Sequence, residues 1–229
     1  MHEILKEFST PDLVVCSGFI DDFQKDLLGL EKDIYRRMGG VRRMEFRAGR
    51  SLAHIAMRLL QFGENPVGMD AKGAPLWPAE VVGSISHNQK ECCVALGRKI
   101  RFLSVGIDIE SPISLDMADS IFDVVCSRLE RSKIKKMADS GKKKEVLKIF
   151  CMKESVYKCQ YPITEKWLDF QDLEIIQQSP VEKIIPFSVR IPNASRPPGL
   201  LKNIEGKCRF NKDKVTSIAV LKAGSREFV

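Results

Sequence analysis

Apolar positions along the chain first take on a clear period between Glu45 and Gln61, where Phe46, Gly49, Ala53, Ala56 and Leu60 recur at steps of three and four. That spacing puts them on one face of a helix, and Gly63, Asn65 and Pro66 supply its end. Arg47, Arg50, His54 and Arg58 repeat at the same steps on another face. This second set reads either as a solvated basic face or as a stripe turned towards an anion. A loop rich in Gly and Pro follows from Val67 to Pro78.

The pattern then becomes extended. Val81 to Ser86 reads as a strand, His87 to Lys90 as a polar turn, and Cys92 to Leu96 as the returning strand. After a turn at Gly97 to Lys99, Arg101 to Glu110 (RFLSVGIDIE) is β-branched or apolar for most of its length, and Pro112 stops it. Helical spacing returns over Asp116 to Phe122, Ser127 to Ala138 and Lys142 to Cys159, with Pro162 closing the last. Short strand candidates follow at Leu173 to Gln177, Phe187 to Ile191 and Val215 to Leu221, and Pro192 to Leu200 reads as a surface loop. Helix and strands followed by helices and strands again predict an α+β fold of two similar halves meeting near Val105, residues 1–105 and 106–229.

Composition narrows the class. With 229 residues, 44% hydrophobic and 29% charged, the chain has the apolar material for a sizeable core, so disorder is not the default reading. No run approaches the roughly 20 apolar residues of a membrane span, and Met1 to Pro11 lacks the apolar stretch of a secretory signal. The seven cysteines include the adjacent pair Cys92 and Cys93 but no C-x-x-C, so neither a zinc ribbon nor a thioredoxin-like motif is indicated. Reduced thiols in the cytoplasm account for them most simply. A net charge of +7 favours anionic partners without ranking them.

Three segments carry candidate chemistry. Asp108 and Glu110 stand two apart on an expected strand and so share a face, flanked by Val105, Ile107 and Ile109. Two carboxylates there call for a compensating cation, either a Lys or Arg or a hard metal such as Mg²⁺, although a solvated strand end would look the same. In Ile149 to Lys158 (IFCMKESVYK), Glu154 and Lys158 are one helical turn apart with Lys153 adjoining. That is either an ordinary ion pair or a metal-plus-phosphate arrangement, the acid on the metal and the lysines on phosphate oxygens. In Gly83-Ser84-Ile85-Ser86-His87, a hydroxyl and an imidazole at a strand end can donate to an anion; the segment is not the G-x-S-x-G of a hydrolase.

Taken in order, Arg42 to Arg50 (RRMEFRAGR), Ala74 to His87 (APLWPAEVVGSISH), Val105 to Glu110 (VGIDIE) and Phe150 to Lys158 (FCMKESVYK) resemble the 4′-phosphopantetheinyl transferases, with the closest likeness to the branch that activates enterobactin-type siderophore synthetases. The resemblance implies two pseudo-symmetric halves with coenzyme A in the cleft between them. It also implies Mg²⁺ on Asp108, Glu110 and Glu154, the cofactor's 3′-phosphate on Ser86 and His87, and its pyrophosphate near Lys158. Arg42 and Arg50 match basic cofactor contacts, and Lys72, Gly73 and Ala74 match the stretch along the adenine. The sequence departs from the family there, since a basic residue usually stands where Gly73 or Ala74 does and only Lys72 is at hand.

The implied reaction is attack of a serine hydroxyl of an apo carrier protein domain, part of a synthetase, on the β-phosphate of coenzyme A. Glu154 is favoured to take up the proton, with Glu110 or a metal-bound water as rivals, and Lys158 steadies the developing charge. Ser127 to Lys144, rich in Lys and Arg, is either the carrier-docking face or a solvated one. A cytoplasmic monomer with no nucleic-acid partner and no supported membrane association is expected. The competing readings are a Mg²⁺-dependent phosphodiester hydrolase and a basic nucleic-acid-binding module. Against the latter, aromatics make up 7% of the chain and do not cluster with the basic runs.

Overall fold

A computed structural model of the chain describes residues 2–24, 27–191 and 199–224. Its framework is a pair of antiparallel sheets, each covered on its outer face by one long helix. The first sheet has strand order β1-β2-β6-β5, built from β1 (His2–Ile4), β2 (Leu13–Phe19), β5 (Val81–His87) and β6 (Glu91–Arg98). Helix α1 (Glu31–Arg37) leads into α2 (Gly40–Leu59), which covers this sheet, and the small hairpin of β3 (Gly68–Met69) and β4 (Pro75–Leu76) follows. The second sheet has order β7-β11-β10-β9-β8, from β7 (Phe102–Glu110), β8 (Glu174–Gln177), β9 (Ile184–Arg190), β10 (Glu205–Phe210) and β11 (Val215–Lys222). Helices α3 (Leu115–Val125), α4 (Arg128–Ile134) and α5 (Asp139–Thr164) lie between β7 and β8 in sequence, and α5 covers the second sheet.

Strand alternation sorts side chains into layers. In β2, Val14 and Cys16 join the core under α2, whereas Leu13 and Val15 join a core between the two sheets. In β6, Cys92, Val94 and Leu96 face α2, and Cys93 and Ala95 face the other way. Phe102, Val105, Ile107 and Ile109 of β7 enter the same middle layer. The complementary positions, Gly106, Asp108 and Glu110, therefore face α5. A Cβ on Gly106 would lie 2.0 Å from the Ser155 carbonyl oxygen and 2.5 Å from the Cys159 nitrogen, so the α5 backbone rests directly on β7. β5 runs against β7 without hydrogen-bonding to it.

The helices differ from their expected spans in instructive ways. α2 begins at Gly40, where the fold rather than apolar spacing sets the start. Of the expected basic face, Arg50 and His54 are buried, at 5% and 6% exposure, Arg47 is half-buried, and only Arg58 is exposed. α5 runs to Thr164 through Pro162, since a proline in the last turn removes a single donor, the one for the Lys158 carbonyl, and the helix still closes from Glu165 N to Tyr161 O. α3 and α4 start on Ser114 and Ser127, whose hydroxyls accept from Met117 N and Glu130 N. All of the surface loop from Pro192 to Leu200 except its last two residues lies outside the described residues, and Gly199–Asn203 forms a 3₁₀ turn. All seven cysteines are buried and unpaired, and among the described residues no helix is long and apolar enough to cross a membrane.

Candidate active site

Where α5 lies on β7, the carboxylates of the strand meet the polar side chains of the helix. Lys158 Nζ donates to Asp108 Oδ1 at 2.6 Å and to Ser86 Oγ at 2.9 Å, and Ser86 Oγ donates to Asp108 Oδ1 at 2.9 Å. Asp108 is 2% exposed, and its other oxygen, Oδ2, is buried with no hydrogen-bond partner. A buried acceptor left over in this way is uncommon and marks a place where something further belongs.

The electrostatics agree. Burial, then the negative charges of Asp108 and Glu154, push the Glu110 carboxyl up to about 7, with Lys158 opposing. Burial also raises Glu154, which Lys158 pulls back down and Asp108 pushes further up. For Lys158 burial acts against the charge, but Asp108 and Glu154 outweigh it and its pKa rises. Three mutually repelling carboxylates thus share one ammonium. Their hard oxygen donors, the excess negative charge and the orphaned Asp108 Oδ2 fit a divalent cation such as Mg²⁺. The side chains do not close around a point, however: among the described residues no three His, Cys, Asp or Glu side chains form a group that could hold a metal ion, and the Lys158 ammonium sits on Asp108 Oδ1 in the role of counter-charge.

Two neighbours on α5 part company. Lys153, expected to neutralise phosphate beside Lys158, is 1% exposed and donates to Glu130 Oε2, Val125 O and Phe170 O, each at 2.8 Å. Its donors are used up inside the protein, which leaves Lys158 as the one lysine of the pair that faces the acidic cluster. Both residues border a cavity of about 290 Å³ walled mainly by Val124, Tyr157, Trp167, Leu168 and Phe170, but only Glu154 also belongs to the acidic cluster.

The residues expected on the nucleotide divide into two groups. Arg42, Lys72, Gly73 and Ala74 come together at the tip of the β3–β4 hairpin. Asp70 Oδ1 accepts from Lys72 N and Ala74 N at 2.9 and 2.8 Å, Gly73 takes φ +90°, and Arg42 Nη2 lies 3.6 Å from where a Gly73 side chain would begin. Lys72 Nζ donates to Tyr161 Oη on α5 at 2.7 Å. Ser86 and His87, expected to hold one phosphate together, separate because adjacent strand residues point to opposite sides. Ser86 serves the carboxylate cluster, and His87 Nδ1 faces Glu45 Oε1 of α2 at 3.4 Å.

Arg50 also departs from its expected role as a cofactor contact. Its Nε and Nη2 donate to the Val67 and Gly68 carbonyls, both at 2.9 Å, its guanidinium stacks on Phe46, and burial pushes its pKa down to about 10 against the pull of Glu31. Glu31 completes this support, accepting from Val67 N at 2.7 Å and pairing with His54 Nε2 at 3.0 Å. Arg50 thus holds the root of the hairpin from beneath. Glu31, Glu45 and Tyr161 were not singled out by sequence. The one available signal was the spacing of Arg50 and His54 on a mostly apolar helix, which gives no hint of partners 17 to 23 residues away.

Comparison with known proteins adds a family to this geometry. Residues 30–97 match the model of the 4′-phosphopantetheinyl transferase N-terminal domain, and residues 104–192 match that of the 4′-phosphopantetheinyl transferase superfamily. The 4′-phosphopantetheinyl transferase Npt of Nocardia iowensis is 38% identical over 136 residues, 58% of this chain and 59% of that protein. PptT of Mycobacterium tuberculosis is 32% identical over 145 residues, 63% of each chain. Enterobactin synthase component D of Escherichia coli is 31% identical over 150 residues, 64% of this chain and 68% of that protein. The matched region spans about three-fifths of the length of the first two.

Proposed function

We propose that this chain, which belongs to the 4′-phosphopantetheinyl transferases, moves the 4′-phosphopantetheine group of coenzyme A onto a serine of an apo carrier protein. The observation that carries the reading is the uncompensated acidic cluster of Asp108, Glu110 and Glu154 around a single lysine, with a buried Asp108 oxygen unpartnered, beside an apolar cavity. In this reading residues 1–105 supply the nucleotide contacts, through Arg42, Lys72 and His87, and residues 106–229 supply the acidic and catalytic side chains.

In the reaction the serine Oγ bonds to the β-phosphorus as the bond from that phosphorus to the leaving 3′,5′-adenosine bisphosphate breaks. A magnesium ion on Asp108, Glu110 and Glu154 would neutralise charge on the diphosphate. Lys158, already between Asp108 and Ser86, adds a fixed positive charge where negative charge develops. Glu154 borders both the acidic cluster and the cavity, and from there it takes the proton of the incoming serine hydroxyl. The apolar walls of Tyr157, Trp167 and Phe170 suit the uncharged pantetheine arm. The basic surface favours encounter with an anionic cofactor and an acidic carrier.

The acceptor we infer is a carrier domain of a non-ribosomal peptide synthetase of the siderophore type, after the similarity to enterobactin synthase component D. The seven buried, unpaired thiols support a reducing compartment, and we place the protein in the cytoplasm as a monomer. Incubation with coenzyme A, Mg²⁺ and a panel of apo acyl, aryl and peptidyl carrier proteins, followed by intact-mass measurement, tests the proposal. One or more carriers should gain a phosphopantetheine group, and omission of Mg²⁺ should abolish the gain. A folded protein that modifies no carrier and hydrolyses phosphodiesters instead would overturn it.

A further inference from the structure

The hairpin tip and the catalytic helix meet at one polar contact between residues 89 apart in sequence: Lys72 Nζ donates to Tyr161 Oη at 2.7 Å, and the same ammonium lies 5.3 Å from the centre of the Tyr161 ring. Tyr161 follows Lys158 by three residues, so the two neighbour each other on α5. Its ring continues an aromatic row, 5.6 Å from Tyr157, which is in turn 5.2 Å from Trp167 at the cavity. The hairpin tip is itself tightly built, with Asp70 Oδ1 accepting two backbone donors, Gly73 in the left-handed region and Arg42 alongside. A long, flexible lysine on such a turn has many rotamers, and ordering one of them costs free energy. Here the Tyr161 hydroxyl selects the rotamer that reaches across to α5.

We propose that Tyr161 is a positioning residue for nucleotide recognition: it holds the Lys72 ammonium beside the hairpin tip, so that Lys72 with Arg42 forms a preset cationic pair for the phosphate-bearing end of the nucleotide. This rests on the proposed function and assigns Tyr161 a part in it. It also answers the departure at Gly73 and Ala74, where no basic side chain is available: the cation comes from Lys72 and its placement comes from the opposite half of the molecule. Tyr161 touches Lys72 and acts on the ligand through it. The hydrogen bond to Tyr161 is also the leading cause that raises the Lys72 pKa.

The test is a double-mutant cycle on the full chain, read by calorimetric binding of 3′,5′-adenosine bisphosphate. Tyr161→Phe keeps the ring and removes the acceptor, Lys72→Met removes the charge, and thermal melting checks that each variant folds. Each single change should weaken binding about 3- to 10-fold. The double variant should be no weaker than Lys72→Met, because Tyr161 has nothing left to hold. In carrier modification, KM for coenzyme A should rise with kcat unchanged. A second measurement needs no ligand: the rate at which an acetylating ester labels Lys72, followed by mass spectrometry, should increase several-fold in Tyr161→Phe relative to the other surface lysines. Wild-type affinity in either single variant, full additivity in the double, or unchanged labelling of Lys72 would each overturn the inference. If the wild-type chain binds the bisphosphate and modifies a carrier while Tyr161→Phe behaves identically, only the role of Tyr161 fails. If the wild-type chain does neither, the proposed function fails with it.

Discussion

Lys153 and Glu154 are adjacent on one helix, yet they belong to two buried charge clusters of opposite character. On one side, Lys153 is fully engaged by Glu130, Val125 O and Phe170 O. Glu130 also accepts from Ser127 N and Ile175 N, and Glu174 accepts from Ser127 Oγ and Arg190. Every charge there has a counter-charge, and the cluster ties α4, α5 and β8 together. On the other side, Asp108, Glu110 and Glu154 share Lys158, and Asp108 Oδ2 has nothing to accept from. The first cluster is complete within the chain, while the second becomes complete only with something from outside. Buried charge that the fold satisfies is architecture, and buried charge that it leaves over marks a site.

That contrast can be broken at three points, in descending order of effect. Lys153→Ala strands Glu130 in the interior, and loss of one member of a buried pair costs about 3–5 kcal/mol. Urea or thermal unfolding should register it, and any loss of carrier modification should be recovered under conditions that restore folding. Asp108→Asn should do the reverse. Removing that charge costs on the order of 10²–10³ in turnover, while thermal melting still shows a cooperative fold, because Glu154 and Glu110 remain to face the Lys158 ammonium that Asp108 held. A folded Asp108→Asn protein with near wild-type turnover would show that the leftover charge is incidental.

The third point is pH. A carboxyl raised to about 7 in the folded protein binds a proton there that the unfolded chain has already released above its ordinary value near 4.5. Stability therefore falls as pH rises from about 4.5 to 7 and levels off above that. The loss in the absence of divalent cation should be at most on the order of 3 kcal/mol, less for the partial exposure of the carboxyl, and Glu110→Gln should flatten the profile. A profile that is already flat in the wild-type protein would place Glu110 outside the repelling set.

How much of this was legible in the sequence depended on whether the deciding contact was local. Asp108 and Glu110 could be placed on one face, and Glu154 with Lys158 on one helical turn, because strand and helix periods fix those relations within a few residues. β2 escaped notice because LVVCSGF does not alternate: Leu13 and Val15 are buried on one side and Val14 and Cys16 on the other. β10 (EGKCRF) buries only Cys208 fully and carries no apolar stripe. The fates of Lys153 and Arg50 were illegible for a different reason. A lysine or arginine in sequence reads as solvated or ligand-binding, and only the tertiary structure shows that Glu130, or the carbonyls of Val67 and Gly68, consume it. Tyr161 gave no sign, since its partner is brought near only when the halves assemble.

Gly106 bears on the width of the gap in which all this occurs. With a hydrogen where other residues carry carbon, β7 and α5 touch backbone to backbone at that point. The separation between the strand's acids and the helix's Glu154 and Lys158 is thus fixed by main-chain atoms, which do not repack as side chains do. Drift elsewhere in the core can reshape the cavity walls and leave this spacing alone. A single methyl at Gly106 would wedge the helix away and open the distances from Asp108 and Glu110 to the Lys158 ammonium at once.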